Sequence, residues 1–158
     1  MRKSLPLPLD PSLSGKALTP EGLAYRSARY RCLNPRNISF FNYGARGIQF
    51  KFSSFAEFME AVGPKPDPSY MLDRIDNEGH YEKGNVRWVP RSINMLNSRV
   101  RKDKLTSSLR GVGWHGKGWV ARFQDQWIGT FPTEEAASKA YWERRNEYEK
   151  TVLGMVRN

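Results

Sequence analysis

The chain has 158 residues, 39% of them hydrophobic and 13% aromatic: enough apolar material for one ordinary domain or two small ones, and too much for a disordered protein. Its formal net charge of +10 points to a polyanionic partner, most often nucleic acid. One cysteine, Cys32, excludes an internal disulfide and a cysteine-rich zinc site, and with two histidines any metal is expected on oxygen ligands, which favours magnesium, manganese or calcium.

Residues 1–18 are rich in Pro, Ser and Leu without periodicity and read as a loose arm. Their Leu-Pro-Leu-Pro-Leu run is too short and too broken by proline for a secretory signal, and no segment approaches the roughly 20 apolar residues of a membrane span. An intracellular, cytoplasmic protein is expected. Thr19-Pro20-Glu21 has the form of a helix start, with Thr as cap, Pro in the first turn and Glu at the positive end of the dipole. The helix should run to about Cys32, with Leu23, Arg26, Arg29 and Tyr30 marking its faces, before Asn34-Pro35-Arg36-Asn37 breaks it. Tyr43-Gly44-Ala45-Arg46-Gly47-Ile48 reads as a glycine-bracketed turn feeding a short strand. Ser54 should cap a second helix carrying Phe55, Phe58, Met59 and Val62 at helical spacing, stopped by the proline-rich run from Gly63 to Pro68.

Leu72-Asp73-Arg74-Ile75-Asp76, Gly79-His80-Tyr81 and Asn85-Val86-Arg87-Trp88-Val89 then spell strand, turn and strand, with a helix from near Pro90 carrying Asn94 and Asn97. Residues 99–108 form a basic linker whose Arg99, Arg101, Lys102 and Lys104 can track phosphates, with Arg110 just beyond. Three strand-like runs follow, ending near Trp114, Phe123 and Phe131, with turns at His115-Gly116-Lys117-Gly118 and Gln124-Asp125-Gln126. Thr133-Glu134-Glu135 starts a last helix with a small-residue face of Ala136, Ala137 and Ala140.

Hydrolysis of a phosphodiester needs a cation to neutralise developing charge, a group that activates water, and a surface that accepts a polyanion. Asp73 offers a carboxylate on a strand and Asn94 a neutral oxygen on the following helix. Asn97, three residues on, shares that helix face, and Asn85 can brace the intervening loop through its amide. Taken singly these are ordinary polar residues; the ordered set is what carries information.

From about Tyr70 to Arg99 that set resembles the HNH endonuclease family, the ββα-metal nucleases, above all its phage and homing types. The Tyr43–Ile48 segment and the helix after it resemble what precedes the motif in those phage proteins. The resemblance implies a divalent cation, Mg²⁺ or Mn²⁺, held by Asp73 and Asn94, a loop brace at Asn85, and Trp88 packed beneath the hairpin. The chain departs from the family at Arg74, where a histidine normally serves as general base. Arginine stays protonated at any usable pH and cannot do that work, but it can bind the scissile phosphate and stabilise the transition state. An Asp-Arg motif looks like that of some restriction-type nucleases in which a tyrosine takes part directly. Tyr43, Tyr70 and Tyr81 are candidates, with His80 as an alternative base; Tyr43, in the glycine turn beside Arg46, is favoured.

In the C-terminal segment, strand alternation puts Trp119, Ala121 and Phe123 on one face, suited to the last helix, and Val120, Arg122 and Gln124 on the other. The second set, with Arg110, Trp114, His115 and Lys117, forms a basic, aromatic surface that can enter a major groove. Arg110-Gly111-Val112, Trp119-Val120-Ala121, Trp127-Ile128-Gly129-Thr130-Phe131 and Ala136-Ala137 followed by Ala140-Tyr141 resemble the DNA-binding domain of plant ethylene-response factors, over about Ser108 to Lys150. That domain also accompanies HNH nucleases in phages. The resemblance implies DNA contacts from Arg110, Arg122 and Trp127. Gly113 and Asp125 stand where the plant domains place further arginines, so base preference does not carry over.

The expectation is therefore an α+β chain: a nuclease domain over 19–98 built from helices and a ββα hairpin-helix, and a three-stranded sheet with one helix over 109–152. Arg46 joins the C-terminal residues and the linker cations as a DNA contact. The expected partner is double-stranded DNA, cut as a nick by a monomer or on both strands by a homodimer, in the host cytoplasm if the protein is phage-encoded. The rival is a non-catalytic DNA-binding protein on a degenerate HNH scaffold.

Overall fold

Thr19 caps helix α1 (Pro20–Leu33), its hydroxyl accepting from the Gly22 amide at 3.1 Å. This belongs to a computed structural model that describes residues 19–97 and 107–154; the expected arm and the linker cations Arg99, Arg101, Lys102 and Lys104 lie outside the described residues. Helix α1 buries Gly22, Tyr25, Ala28 and Cys32 and leaves Leu23 47% exposed. The cause is an aromatic cluster. The Tyr25 ring meets Phe50, Phe55 and Phe58 edge-on at 5.0, 5.5 and 5.4 Å, contacts favoured by the ring quadrupoles beyond the area they bury.

Two 3-10 turns (Phe40–Asn42 and Gly44–Arg46) follow, closed by Gly47 in the left-handed region at φ 83°. The strand expected after them is reduced to one parallel bridge, Phe50 to Tyr81, in which the Tyr81 amide donates to the Gln49 carbonyl and the Lys51 amide to the Tyr81 carbonyl, both at 2.9 Å. Helix α2 (Phe55–Val62) begins at once behind it. Ser54 caps the Glu57 amide, and the Glu57 carboxylate reaches back to Ser53. Strands β1 (Met71–Arg74) and β2 (Val86–Val89) pair antiparallel, and helix α3 (Arg91–Leu96) folds back on them. The Trp88 ring lies 6.5 Å from Phe58 and its indole donates to the Gly63 carbonyl at 3.0 Å, which ties the hairpin to the end of α2.

Strands β3 (Val112–His115), β4 (Gly118–Phe123) and β5 (Gln126–Phe131) form an antiparallel meander covered on one face by α4 (Glu134–Gly154). Val112, Ala121, Phe123, Ala137 and Tyr141 make its core. Gln124 and Asp125 turn the β4–β5 hairpin with positive φ at both positions, the backbone of a tight two-residue loop. Ser107 is buried, receives the Leu109 amide and donates to Glu134, so this part of the expected linker belongs to the sheet. The described residues are thus α+β, with two small antiparallel sheets, and the chain divides into two compact units, 1–98 and 99–158.

Candidate functional site

The pairing register of β1 and β2 sets the chemistry of the first unit. Asp73 sits directly opposite Arg87, so their side chains share a face, and the Arg87 Nε lies 3.3 Å from the Asp73 Oδ2. Asp73 is 5% exposed. Asn97, just past the end of α3, donates from Nδ2 to both Asp73 oxygens at 3.1 and 3.2 Å and to the Arg74 carbonyl at 2.5 Å, while its own carbonyl accepts from Asn77. Asn94, one turn earlier, is half-buried, with Nδ2 3.5 Å from the Met71 sulfur. The amide that meets Asp73 directly is therefore Asn97, because α3 is short and Asn97 turns back over the hairpin from its end.

Asn85 ties the β1–β2 loop. Its Oδ1 accepts the Asp76 amide at 2.8 Å, and its Nδ2 donates to the Asp76 and His80 carbonyls at 3.2 and 2.8 Å. Gly79 leaves room for it: a Cβ there would stand 2.6 Å from Nδ2. The loop carbonyl of Gly79 in turn receives the Arg74 Nη1 at 2.6 Å.

Arg74 is 4% exposed, with its guanidinium 5.2 and 5.0 Å from the ring centres of Tyr43 and Tyr81. Those rings stack at 6.2 Å and 26°. A second guanidinium, Arg31 from the last turn of α1, lies 4.9 Å over Tyr43 and 5.7 Å over Tyr81, and donates to the Tyr43 hydroxyl at 3.2 Å. Among the described residues neither Arg31 nor Arg74 has a carboxylate within ion-pair distance.

These groups line one cavity of about 360 Å³, whose walls include Arg31, Tyr43, Tyr70, Asp73, Arg74, Tyr81, Asn94 and Asn97, with Lys65 at its edge. Its potential is positive: cations outnumber the one carboxylate, and Arg87 already neutralises that. Burial pushes the Cys32 thiol up to about 11, although Arg74 and Arg31 pull it down, so Cys32 offers no thiolate near neutral pH. Burial also raises Tyr81, again against the two arginines. Burial by itself would lower Arg31, but Tyr81 and Tyr43 outweigh it and raise its value, so the cation persists.

Two expected site residues stand apart. His80 is not among the residues lining the cavity; its Nδ1 accepts from the Gln49 amide at 3.3 Å, because Tyr81 pairs with that segment and draws the loop toward it. Arg46 is engaged by Glu78, donating to both carboxylate oxygens at 2.7 and 2.6 Å, which neutralises a charge expected to face DNA. Among the described residues no three His, Cys, Asp or Glu side chains gather into a metal-binding group; the side-chain oxygens lining this cavity are one carboxylate, the amides of Asn77, Asn94 and Asn97, and the hydroxyls of Ser27, Tyr43, Tyr70 and Tyr81.

In the second unit, register sorts the proposed DNA face. Arg122 is opposite Trp127 and Val120 opposite Thr130, which puts Arg122 and Trp127 together on the face away from α4. Arg122, His115, Lys117 and Gln124 are exposed, and Trp127 is 64% exposed. Trp114 differs from expectation. It pairs with Trp119, ring centres 5.4 Å apart, and so lies on the α4 side, still half exposed. Arg110 is partly buried beside Tyr141, whose hydroxyl burial raises while Arg110 and Arg145 lower it.

Comparison with protein-family models, with curated proteins and with solved structures finds no match to the chain. No helix of the described residues is long and apolar enough to cross a membrane. Sequence reasoning did not single out Arg31 or Arg87, and it gave Asn97 no role of its own. Arg87 had a usable signal, since it faces Asp73 across any hairpin in the observed register; Arg31 had none, being remote in the chain.

Proposed function

We propose that the protein is a divalent-metal-dependent DNA endonuclease of HNH type, with an Asp-Arg motif and a C-terminal sheet that anchors it on duplex DNA. One observation carries this reading: Asp73, Asn94, Arg74 and Tyr43, from a strand, a helix and a turn, converge on a single electropositive cavity.

The donor set fits a hard cation. Such ions take one or two protein oxygens and complete their shell with water and phosphate oxygens, and Asp73 with Asn94 supplies that minimum. When bound, the ion would neutralise charge developing at the phosphate and its leaving oxygen. Arg74 binds the non-bridging phosphate oxygens with the N–H groups it does not spend on Gly79, and stabilises the charge of the transition state. Asn85 and Gly79 hold Arg74 in place by fixing the loop that receives it. Tyr43 presents its hydroxyl beside the phosphate site, oriented by Arg31. The outer sheet face provides Arg122, Lys117, His115, Gln124 and Trp127 to the duplex, with Arg for base edges or phosphates and Trp for sugar contact.

The rival, a DNA-binding protein without catalysis, has one observation in its favour. The Asp73 carboxylate already accepts hydrogen bonds from Arg87 and Asn97, as a structural carboxylate would. Supercoiled plasmid with Mg²⁺ or Mn²⁺ separates the two. Nicking by the parent, absent from Asp73→Ala and Asn94→Ala, supports the enzyme; retention of DNA with no cutting under either metal refutes it. Arg122→Ala should weaken DNA retention and make log affinity fall less steeply with log salt, the slope changing by about 0.9 for each phosphate that Arg122 neutralises. An unchanged slope removes the sheet face from the interface.

A further inference from the structure

We infer that Arg31, supplied by α1 from outside the hairpin-helix motif, is a second phosphate-gripping residue, and that Arg31 and Arg74 form a two-arginine clamp with the Tyr43–Tyr81 stack as its floor. The identity of the ligand as a phosphodiester rests on the nuclease reading; the clamp itself rests on the geometry of the two cations.

A guanidinium removed from water is normally matched by a carboxylate, because burying an unpaired charge is costly. Here a buried guanidinium, Arg74, and a half-buried one, Arg31, are brought to one pair of rings, and among the described residues no carboxylate matches either. The tyrosine faces offset part of the cost through their quadrupoles, with both cations 4.9 to 5.7 Å from the ring centres. That arrangement also sets two like charges on the same platform, which is unfavourable until an anion joins them.

The unspent donors point to the same conclusion. Among the described residues Arg74 donates from Nη1 to Gly79, leaving Nε and Nη2 for a ligand. Arg31 is held by its own helix through Ser27 and by the Tyr43 hydroxyl, which fixes the fork instead of neutralising it. Planar forks of this kind match the paired oxygens of a phosphate. The carboxylate that shares the cavity, Asp73, is paired with Arg87 and lies beyond ion-pair distance of both Arg31 and Arg74, so it does not serve as the missing counter-ion.

The test uses the full chain, metal-free, with inorganic phosphate as probe, followed by calorimetric titration and tyrosine emission. The parent should bind phosphate saturably. Arg31→Gln should weaken that affinity at least fivefold and lower by about 0.9 the salt slope for a short duplex. Arg31→Lys, which keeps the stem and charge, should hold the fold and recover only part of the phosphate affinity. Circular dichroism of each variant checks that the helices are intact. Equal phosphate affinity and equal salt slope in parent, Gln and Lys forms overturn the clamp and leave the nuclease proposal standing. A parent that binds phosphate through Arg31 but never cuts DNA supports the clamp and sinks the nuclease reading instead.

Discussion

Asn94, within α3, and Asn97, just past its end, are three residues apart, yet the structure gives them different roles, and replacing each by alanine should show it. Asn97→Ala removes the amide donor from the Asp73 carboxylate and from the Arg74 carbonyl, both buried. A hydrogen bond to a charged group is worth about 1.5–3 kcal/mol, and a buried carbonyl left without a donor costs about 1–3 kcal/mol. Arg87 stays 3.3 Å from Asp73, so the carboxylate is not stripped bare and the sum belongs near the low end of the combined range, about 3 kcal/mol. For a unit of this size, where each kcal/mol moves the midpoint by about 4–8 °C, that corresponds to roughly 12–24 °C. Asn94→Ala breaks only a long contact to the Met71 sulfur from a half-exposed position, and stability should stay within about 0.5 kcal/mol. Urea unfolding in chelator, followed by circular dichroism and by hydrogen exchange across β1 and β2, measures both. Equal stabilities, or a larger loss at Asn94, would refute the assignment of Asn97 as the structural partner of Asp73.

Mg²⁺ or Mn²⁺ should bind weakly without DNA, because Arg31, Arg74 and Arg87 surround a single carboxylate, and at least about tenfold more tightly once a phosphate supplies negative charge; electron paramagnetic titration of Mn²⁺ that gives the same affinity with and without duplex contradicts this. Gly111→Ala should destabilise the second unit by about 2–4 kcal/mol, since φ is 67° and the new methyl would meet the Tyr141 ring, a loss readable by tryptophan fluorescence because four of the five tryptophans lie in that unit. Asp125→Gly should stabilise the same unit by about 0.5–1 kcal/mol by relieving a non-glycine residue at φ 63°, measured by the same signal. Glu21, held below its ordinary 4.5 by the Lys65 amide, together with Glu57, Asp67 and Glu82, lowered by Ser53, Ser69 and Lys51, contributes stability that is complete above the ordinary carboxylate range and lost as pH falls through the lowered folded values. Melting temperature should therefore decline below about pH 4.5, and Glu21→Gln should flatten that decline.

Local rules made much of the fold legible. Thr19 and Ser54 act as caps because a hydroxyl three residues ahead of an amide closes the first turn regardless of tertiary context. The strand-turn-strand runs of both units follow from alternation and turn residues. What the sequence did not reveal was decided by contacts between distant segments. Apolar residues surround α1 without a dominant stripe, so only the cluster of Phe50, Phe55 and Phe58 selects Tyr25 over Leu23 as the buried residue. Trp114 could not be assigned a face until its register against Trp119 was known. The choice between Asn94 and Asn97 depended on where α3 stops, a boundary that pattern reading places least well. Arg31 is twelve positions from Tyr43 and belongs to a different element, so no motif spacing contains it.

The two backbone bonds between Tyr81 and the Gln49–Lys51 segment have a consequence for engineering. They clip the loop of the hairpin to the chain that carries Tyr43, and thereby stack one tyrosine on the other. A hairpin and helix cut out at residues 70–97 and transplanted to a foreign scaffold would bring Asp73, Arg74, Asn94 and Asn97, yet would leave behind a third of the cavity wall, Arg31 and Tyr43 included. The smallest portable version of this centre begins at α1.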